Sequence, residues 1–474
     1  MPPARLTLVI DQGTHATRAF AFDQEGEVQA SEFRRIALHR RSAEVIEQDP
    51  EEIISSVQEV VEALLANPLV QRLGIAQAGL ATQRSSVVAW DGRSGQALSP
   101  VISWQDRRAA EWLSRFEPQG ERIKEKTGLP LSPHYGASKL RWLLDNVSEI
   151  KRAKREERLA FGPLASFLLF QLLGERNLQV DHANAARTLL WNIETRDWDP
   201  WLLSLFGVPR AALPLCRPIS YEYGLLTGTE IPLTVVNGDQ NAAVYGLGEP
   251  RPDTAIINLG TGAFVLLPTV SGRVHHPTLL CGLTSSDALE GEYTIEGTVN
   301  GAGAALAWAA ETWQIPDIGT KMDEWLARPG DPPLFINTVG GLGSPWWQAG
   351  LTPTVIGDGL PWQYAVAVAE SILFLLQANL EAMAKVGLEA KRIRVSGGLA
   401  LLDGLCQRLA DLTGRAVYRP AETEATARGA AWLAAGRPAN WPETRPGLLF
   451  EPQANPPLSA RYRQFLAELS ALIN

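Results

Sequence analysis

The chain has 474 residues, too many for one ordinary hydrophobic core, so two or more domains are expected. Its 45% hydrophobic and 20% charged content belongs to a globular protein and excludes a disordered one. A balance of 43 basic against 52 acidic residues gives −9, which argues against a nucleic-acid surface.

The start, MPPARLTLVIDQG, reaches a charge before an apolar signal region can form, so no signal peptide is expected. Three scattered cysteines (Cys216, Cys281, Cys406) give neither a disulfide framework nor a metal cluster and fit a reducing, cytoplasmic setting. The most apolar stretches, Phe161–Leu173 and Ser371–Leu380, fall short of the ~20 residues of a membrane span and are expected to be buried helices.

Leu6–Arg18 opens the pattern. Leu6, Leu8, Val9 and Ile10 form an apolar run ending at Asp11 and turning at Gly13-Thr14, and Ala19–Asp23 is a second run, so a hairpin is predicted. Such a turn can aim N–H groups and a hydroxyl at phosphate, with Asp11 placed to hold Mg²⁺ through water; an ordinary hairpin with a turn-capping aspartate reads the same way. Asp49-Pro50 then starts a helix carrying Ile53, Ile54, Val57, Val60, Val61 and Leu64 at helical spacing.

Gly74–Asp91 reads as two strands separated by Thr82-Gln83-Arg84, and polar residues at strand ends are where open α/β sheets place ligand contacts. Arg84 reads equally as a solvated loop charge. Val101–Arg108 sets Trp104 and Asp106 at another strand end, with Trp104 equally plausible as core among 15 tryptophans. Lys126–Asn146 is a Pro/Gly loop, then a helix with Leu140, Leu143 and Leu144 on one face. Asp181–Asn192 is small and polar, then apolar, and no chemistry follows from it.

Val235–Gly248 ends an apolar run on Gly238-Asp239-Gln240 before small residues that start a helix. An aspartate there can accept a proton from a substrate hydroxyl, or simply serve as the N-cap. Glu249–Asp253 is the best candidate linker. Directly after it, Ile257-Asn258-Leu259-Gly260-Thr261 aligns without a gap on Ile10-Asp11-Gln12-Gly13-Thr14. Two such hairpins, each opening half of the chain, point to a duplicated fold with a nucleotide between the halves. Gly297–Trp308 reads as a Gly/Ala-rich helix start that permits close approach. Arg392–Gly414 reads as strand, Gly397-Gly398 turn and helix, with Asp403 as N-cap and a bare edge suited to a purine. Glu424–Gly436 is a small-residue helix able to pack beneath such a site.

Taken together, DQGT at Asp11–Thr14, Gln83-Arg84, SWQDRR, PHYGASKLRW, DHANAARTLLWN, GDQNAA, NLGTG, the GAG of Gly301–Gly303, VSGG and EATARGAAWLA resemble the FGGY carbohydrate kinases from Leu6 to about Gly436. Within the family they look most like its glycerol-phosphorylating branch. The resemblance implies a duplicated α/β, actin-like (ribonuclease H-like) two-domain fold with nucleotide in the interdomain cleft. Residues 1–248 would form the polyol- or sugar-binding domain and 249–474 the adenosine-binding one.

By position, Asp239 would be the catalytic base, and Asp11 with Asp239 would serve the metal, Mg²⁺. Asp11, Gly13 and Thr14 would meet the ATP phosphates from one side, and Gly260 and Thr261 from the other. Gly303, Gly398 and Leu402 would line the adenosine end. Arg84, Ser85, Trp104, His134, Asp239 and Gln240 would face a small polyol or sugar. No nucleic acid or membrane partner is expected, and a homo-oligomer stays open.

Four positions depart from the glycerol-using pattern: Ser85 replaces a glutamate, His134 aligns with a tyrosine, Leu402 replaces an asparagine, and His15-Ala16-Thr17 replaces a hydroxyl-rich run. Ser85 and His134 predict a polyol or ketose of four carbons or more, with glycerol a poor substrate, while Leu402 and the His15-Ala16-Thr17 loop bear on ATP use. No GxxxxGK[ST] or HRD-like loop is present, which excludes Walker-A enzymes and protein kinases. The rivals are a nucleotide-gated binding protein and a catalytically impaired regulator. Arg84, Trp104 and Asp239 count against the first, and intact Asp11 and Asp239 against the second.

Overall fold

The computed structural model describes residues 5–270, 272–348, 350–421, 424–439, 441 and 446–473. Two compact units emerge, each made of three stretches. The first comprises Met1–Pro250, Gly282–Tyr293 and Glu424–Thr444, and the second Arg251–Cys281, Thr294–Thr423 and Arg445–Asn474.

The first unit is organised on a six-stranded sheet of β1 (Leu6–Gln12), β2 (Ala16–Phe22), β3 (Val28–Arg35), β4 (Ile75–Thr82), β5 (Ser220–Leu225) and β6 (Pro232–Gly238), in the order β5-β6-β4-β1-β2-β3. β1 pairs antiparallel with β2 and parallel with β4, and β6 pairs parallel with β4. β1 is buried along its whole length, as a strand covered on both faces must be. Helix α1 (Pro50–Leu65) covers this sheet; Asp49 caps it by accepting from Glu51 N, and Ile53, Val57, Val60 and Leu64 face the core. A second, five-stranded sheet contains Val87–Asp91, Val101–Ile102 and Leu159–Pro163.

The second unit repeats the first sheet. It contains β7 (Thr254–Leu259), β8 (Ala263–Pro268), β9 (Gly291–Val299), β10 (Arg392–Ser396), β11 (Ala416–Arg419) and β12 (Leu448–Phe450), running β12-β11-β10-β7-β8-β9. β7 pairs antiparallel with β8 and parallel with β10, β11 pairs parallel with β10, and β12 closes the edge antiparallel. These six strands follow the order and sense of the first sheet, and a seventh strand, Leu280–Ser286, extends this sheet beyond β9.

The 24-residue helix Pro361–Ala384 is apolar nearly all round and buried in this unit's core. Among the described residues it is the one helix long and apolar enough to cross a membrane, and 89% of its most apolar window is buried inside the protein. All three cysteines are free.

Three local expectations change. Leu159–Pro163 is a strand and only Leu164–Leu172 is helical, because the first part pairs with Val87–Asp91. Residues 297–299 finish β9, and the helix starts only at Gly303. The N-cap of the helix Asp403–Thr413 is Leu402, extended at φ −82°, while Asp403 is its first residue and pairs with Arg419 at 2.7 Å.

Candidate functional site

In the first unit the carboxyl ends of β1, β4 and β6 bring the polar motif residues together. Asp11 lies one residue before the end of β1, buried, with Arg18 Nη2 at 3.3 Å from its Oδ2. Arg18 also donates to Glu424 Oε2 at 2.5 Å, so the small-residue helix Ala425–Ala434 is tied to this turn at its start. Burial raises the Asp11 carboxyl to a pKa of about 7; Arg18 opposes the rise, and the charges of Asp239 and Glu424 add to it. Gly13 and Thr14 follow, half-buried, with Gly13 N donating to Ala16 O at 2.9 Å to close the hairpin.

Asp239 is the first residue of the short helix Asp239–Ala243, and its N-cap is Gly238. The capping role open to Asp239 in the sequence is therefore not the one it plays. Its Oδ1 accepts from Gln240 N and lies 3.6 Å from Arg84 Nε. The side chain keeps 32% of its surface, yet desolvation by the surrounding protein still raises its pKa, with Arg84 as the main opposing charge. Gly238 is required here, since a Cβ would sit 2.5 Å from Arg84 Cδ.

Arg84 is buried, which removes the solvated-loop reading. Nη1 donates to Asn241 Oδ1 at 2.8 Å and Nη2 to Gln240 Oε1 at 2.7 Å. An amide network sits beneath: Gln83 Nε2 donates to Gln12 Oε1 and Gln48 Oε1, and Gln48 Nε2 to Thr14 O. Trp104 is half-buried rather than core; its Nε1 donates to Thr14 Oγ1 at 3.0 Å and its N to Ser86 Oγ. The His134 ring meets Trp104 edge-on, centroids 5.5 Å apart.

His134 is held well below its usual pKa by burial and then by Lys139, Arg107, Arg187 and Arg84, so the imidazole is neutral. Ser85 is buried, takes the left-handed φ of 64°, and among the described residues its hydroxyl has no hydrogen-bond partner. A buried hydroxyl without a partner costs free energy.

The second unit assembles a different kind of surface. Gly260 N donates to Gly262 O, and the helix Gly303–Thr312 starts on the Gly260-Thr261 turn. Gly303 N donates to Gly260 O at 2.9 Å, and Ala302 N and Ala304 N donate to Thr261 O. A Cβ on Gly303 would approach Gly260 O to 2.9 Å, so glycine is needed for this seat. Gly398 opens the 3-10 turn Gly398–Leu401 with nothing within 4 Å of where its Cβ would stand. Leu402 packs partly against the core of this unit.

Sequence reasoning missed Arg187, whose charge acts on both Asp239 and His134, and it missed Lys139 and Asn241. The Asp181–Asn192 stretch carried Arg187 among small residues that gave no chemical cue. Asp181 itself caps the helix His182–Ala186, and burial raises its pKa to about 7.

Two family models match this chain. The FGGY carbohydrate kinase N-terminal domain covers residues 6–246 and the C-terminal domain 255–436. The glycerol kinase of Agrobacterium fabrum is 36% identical over 455 residues, 92% of this chain and 91% of its own length. That of Deinococcus radiodurans is 35% identical over 451 residues, 92% and 90% of the two chains. In structure the chain is similar to Plasmodium falciparum glycerol kinase with ADP (TM-score 0.88, 23% identity, 99% and 98% covered) and to Rhodospirillum rubrum xylulose kinase (0.86, 21%, 99% and 99%).

The fold is thus that of the two-domain, actin-like kinases, and the chain belongs to the FGGY family of carbohydrate kinases. It is an enzyme that uses ATP to phosphorylate a hydroxyl of a small polyol or sugar.

Proposed function

We propose that the alcohol is bound in the first unit by Arg84, Ser85, Trp104, His134 and Gln240, and that Asp239 takes its proton. The observation that carries this reading is the placing of Asp239: a part-exposed carboxylate with raised pKa, set at a strand end beside the buried Arg84. A carboxylate of raised pKa is a better proton acceptor at neutral pH than an ordinary aspartate.

Asp11, Gly13 and Thr14 meet the phosphates of ATP from the first unit, and Gly260 and Thr261 from the second, with Gly303, Gly398 and Leu402 at the adenosine. We assign the alcohol side to residues 1–248 and the adenosine side to 249–474, except that Glu424, within the first unit, works beside Asp11. The oxygen donors of Asp11 and Asp239 fit Mg²⁺, which takes one or two carboxylates and completes its shell with water and phosphate. Among the described residues no cluster of three or more His, Cys, Asp or Glu could cage a metal by itself, which such a site does not need. When bound, Mg²⁺ would neutralise phosphate charge. The chain's own part is to position the hydroxyl, to hold its proton on Asp239, and, through Arg18, to oppose the burial that raises the Asp11 carboxyl.

The relatives named glycerol kinase favour glycerol as substrate. Ser85 and His134 favour a longer one: the serine is shorter than the glutamate of the glycerol-using pattern, its hydroxyl is unsatisfied, and the neutral imidazole can bond a further hydroxyl or carbonyl oxygen. We infer a polyol or ketose of four or more carbons. Replacing Asp239→Asn is expected to lower kcat by about 10²–10⁴-fold while ATP still binds. Isothermal titration with a non-hydrolysable ATP analogue beside steady-state kinetics checks this, and near-normal kcat would remove Asp239 from the role.

A further inference from the structure

Lys139 is an unusual residue to find where it is. It lies in the helix Gly136–Asn146, 1% exposed, and its Nζ donates to two main-chain carbonyls, Ser85 O at 3.1 Å and His134 O at 2.6 Å. It forms no salt bridge with a carboxylate among the described residues. Burial and the nearby Arg107 and Arg108 push its pKa well down, with Asp106 opposing. Retaining a lysine there is costly unless its donors are needed.

The two carbonyls it joins belong to the two positions at which the alcohol pocket departs from the glycerol-using pattern. Ser85 holds a left-handed φ of 64°, a conformation that strains a non-glycine residue and persists only where neighbours fix it. His134 packs on Trp104, and Trp104 donates to Thr14 at the phosphate turn. One amine therefore joins the main chain of the strained Ser85 to that of His134, whose ring meets Trp104 beside the Asp11–Thr14 hairpin. The helix carrying it is anchored separately, by Gly136 N to Arg187 O and Ala137 N to Thr188 O.

We propose that Lys139 is the positioning residue that sets the shape of the alcohol pocket, clamping the Ser85 and His134 segments at a fixed separation. The proposal rests on the reading of that pocket given above. Lys139 touches neither substrate nor reacting atoms; it acts through the two carbonyls. Its loss should therefore weaken recognition of the alcohol far more than that of ATP.

The test uses the full chain with Lys139→Met, one atom shorter and without N–H donors, and Lys139→Gln, of the same reach as Met but keeping two N–H donors. KM for ATP and for the alcohol with the highest wild-type kcat/KM are measured with Tm, and amide hydrogen exchange of 84–86 and 132–136 is followed without substrate. For the Met variant, alcohol KM should rise by about thirtyfold or more, with ATP KM within about twofold and faster exchange confined to those segments.

The Gln variant should fall between, at about three- to tenfold, and carries the test alone if the Met variant does not fold. An alcohol KM within about twofold of wild type in a folded variant, or both KM values rising together, overturns the proposal. If the wild type phosphorylates no alcohol, the pocket reading fails by itself. The exchange data then decide on Lys139: local loosening keeps the clamp, and unchanged or uniformly faster exchange removes it.

Discussion

In the first unit β1 carries Asp11 near its end, buried, its pKa lifted to about 7, with Arg18 across the hairpin. In the second unit the matching place on β7 is Asn258, whose Nδ2 donates to Ser396 Oγ at 3.2 Å. The neighbouring parallel strands diverge in the same sense. β4 runs out into Gln83 and the buried Arg84, and β10 into Gly397 and Gly398. The six strands the sheets share run in the same order and sense, so the backbone around the two strand ends does not distinguish them. Side chains do: one copy gathers the ionisable Asp11, Arg84 and Asp239 at its strand ends, and the other ends on glycines, Gly398 with nothing within 4 Å of where its Cβ would stand.

Breaking the charged half should cost most. Arg84→Ala removes bonds to Asn241 and Gln240 and the charge beside Asp239, and kcat/KM for the alcohol should fall by about 10–100-fold with ATP KM little changed. Equal loss toward both substrates, measured by steady-state kinetics, would mean that Arg84 does not belong to the alcohol side.

The glycine half should respond in the opposite sense. In Gly303→Ala the new methyl would crowd Gly260 O, so the helix must shift off its turn, and ATP KM should rise by about tenfold while alcohol KM holds. If alcohol KM rises as much, the assignment of this turn to the nucleotide is wrong.

The smallest effect is on stability and sharpens the contrast between Asp11 and Asn258. With a folded pKa of about 7 against 3.8 for the free group, Asp11 keeps a proton on folding that the unfolded chain has released. Stability thus falls as pH rises from about 4 to 7, and above 7 the full penalty remains. Asp11→Asn has no such proton, and it should melt about 2–5 °C above wild type at pH 8 and together with it at pH 4, while losing activity. Asp181 shares the shift in both proteins and cancels from the comparison. Equal Tm values at pH 8 would contradict the buried-charge description.

Much of this contrast was legible in the sequence, because both hairpins end on a Gly-Thr turn and align without a gap. Helix α1 was equally readable from Asp49-Pro50 and its 3.6-residue apolar spacing. Strand pairing is non-local, however, and overrode the apolar run at Phe161, while a 3-10 turn moved the cap from Asp403 to Leu402. Lys139 and Arg187 were invisible for another reason. A lone cation on a helix or in a small-residue stretch reads as solvated surface, and only packing reveals that its donors or charge are turned inward. The unpaired hydroxyl of Ser85 is likewise a property of its surroundings and not of the residue type.

The central claim is that the charged copy has been adapted to an alcohol larger than glycerol. Its most direct test is coupled-assay ATP turnover by the wild-type enzyme across C3 to C7 polyols and ketoses. The account predicts the highest kcat/KM for a polyol or ketose of four or more carbons, with glycerol lower by about tenfold or more. Glycerol giving the highest kcat/KM in the panel would contradict it.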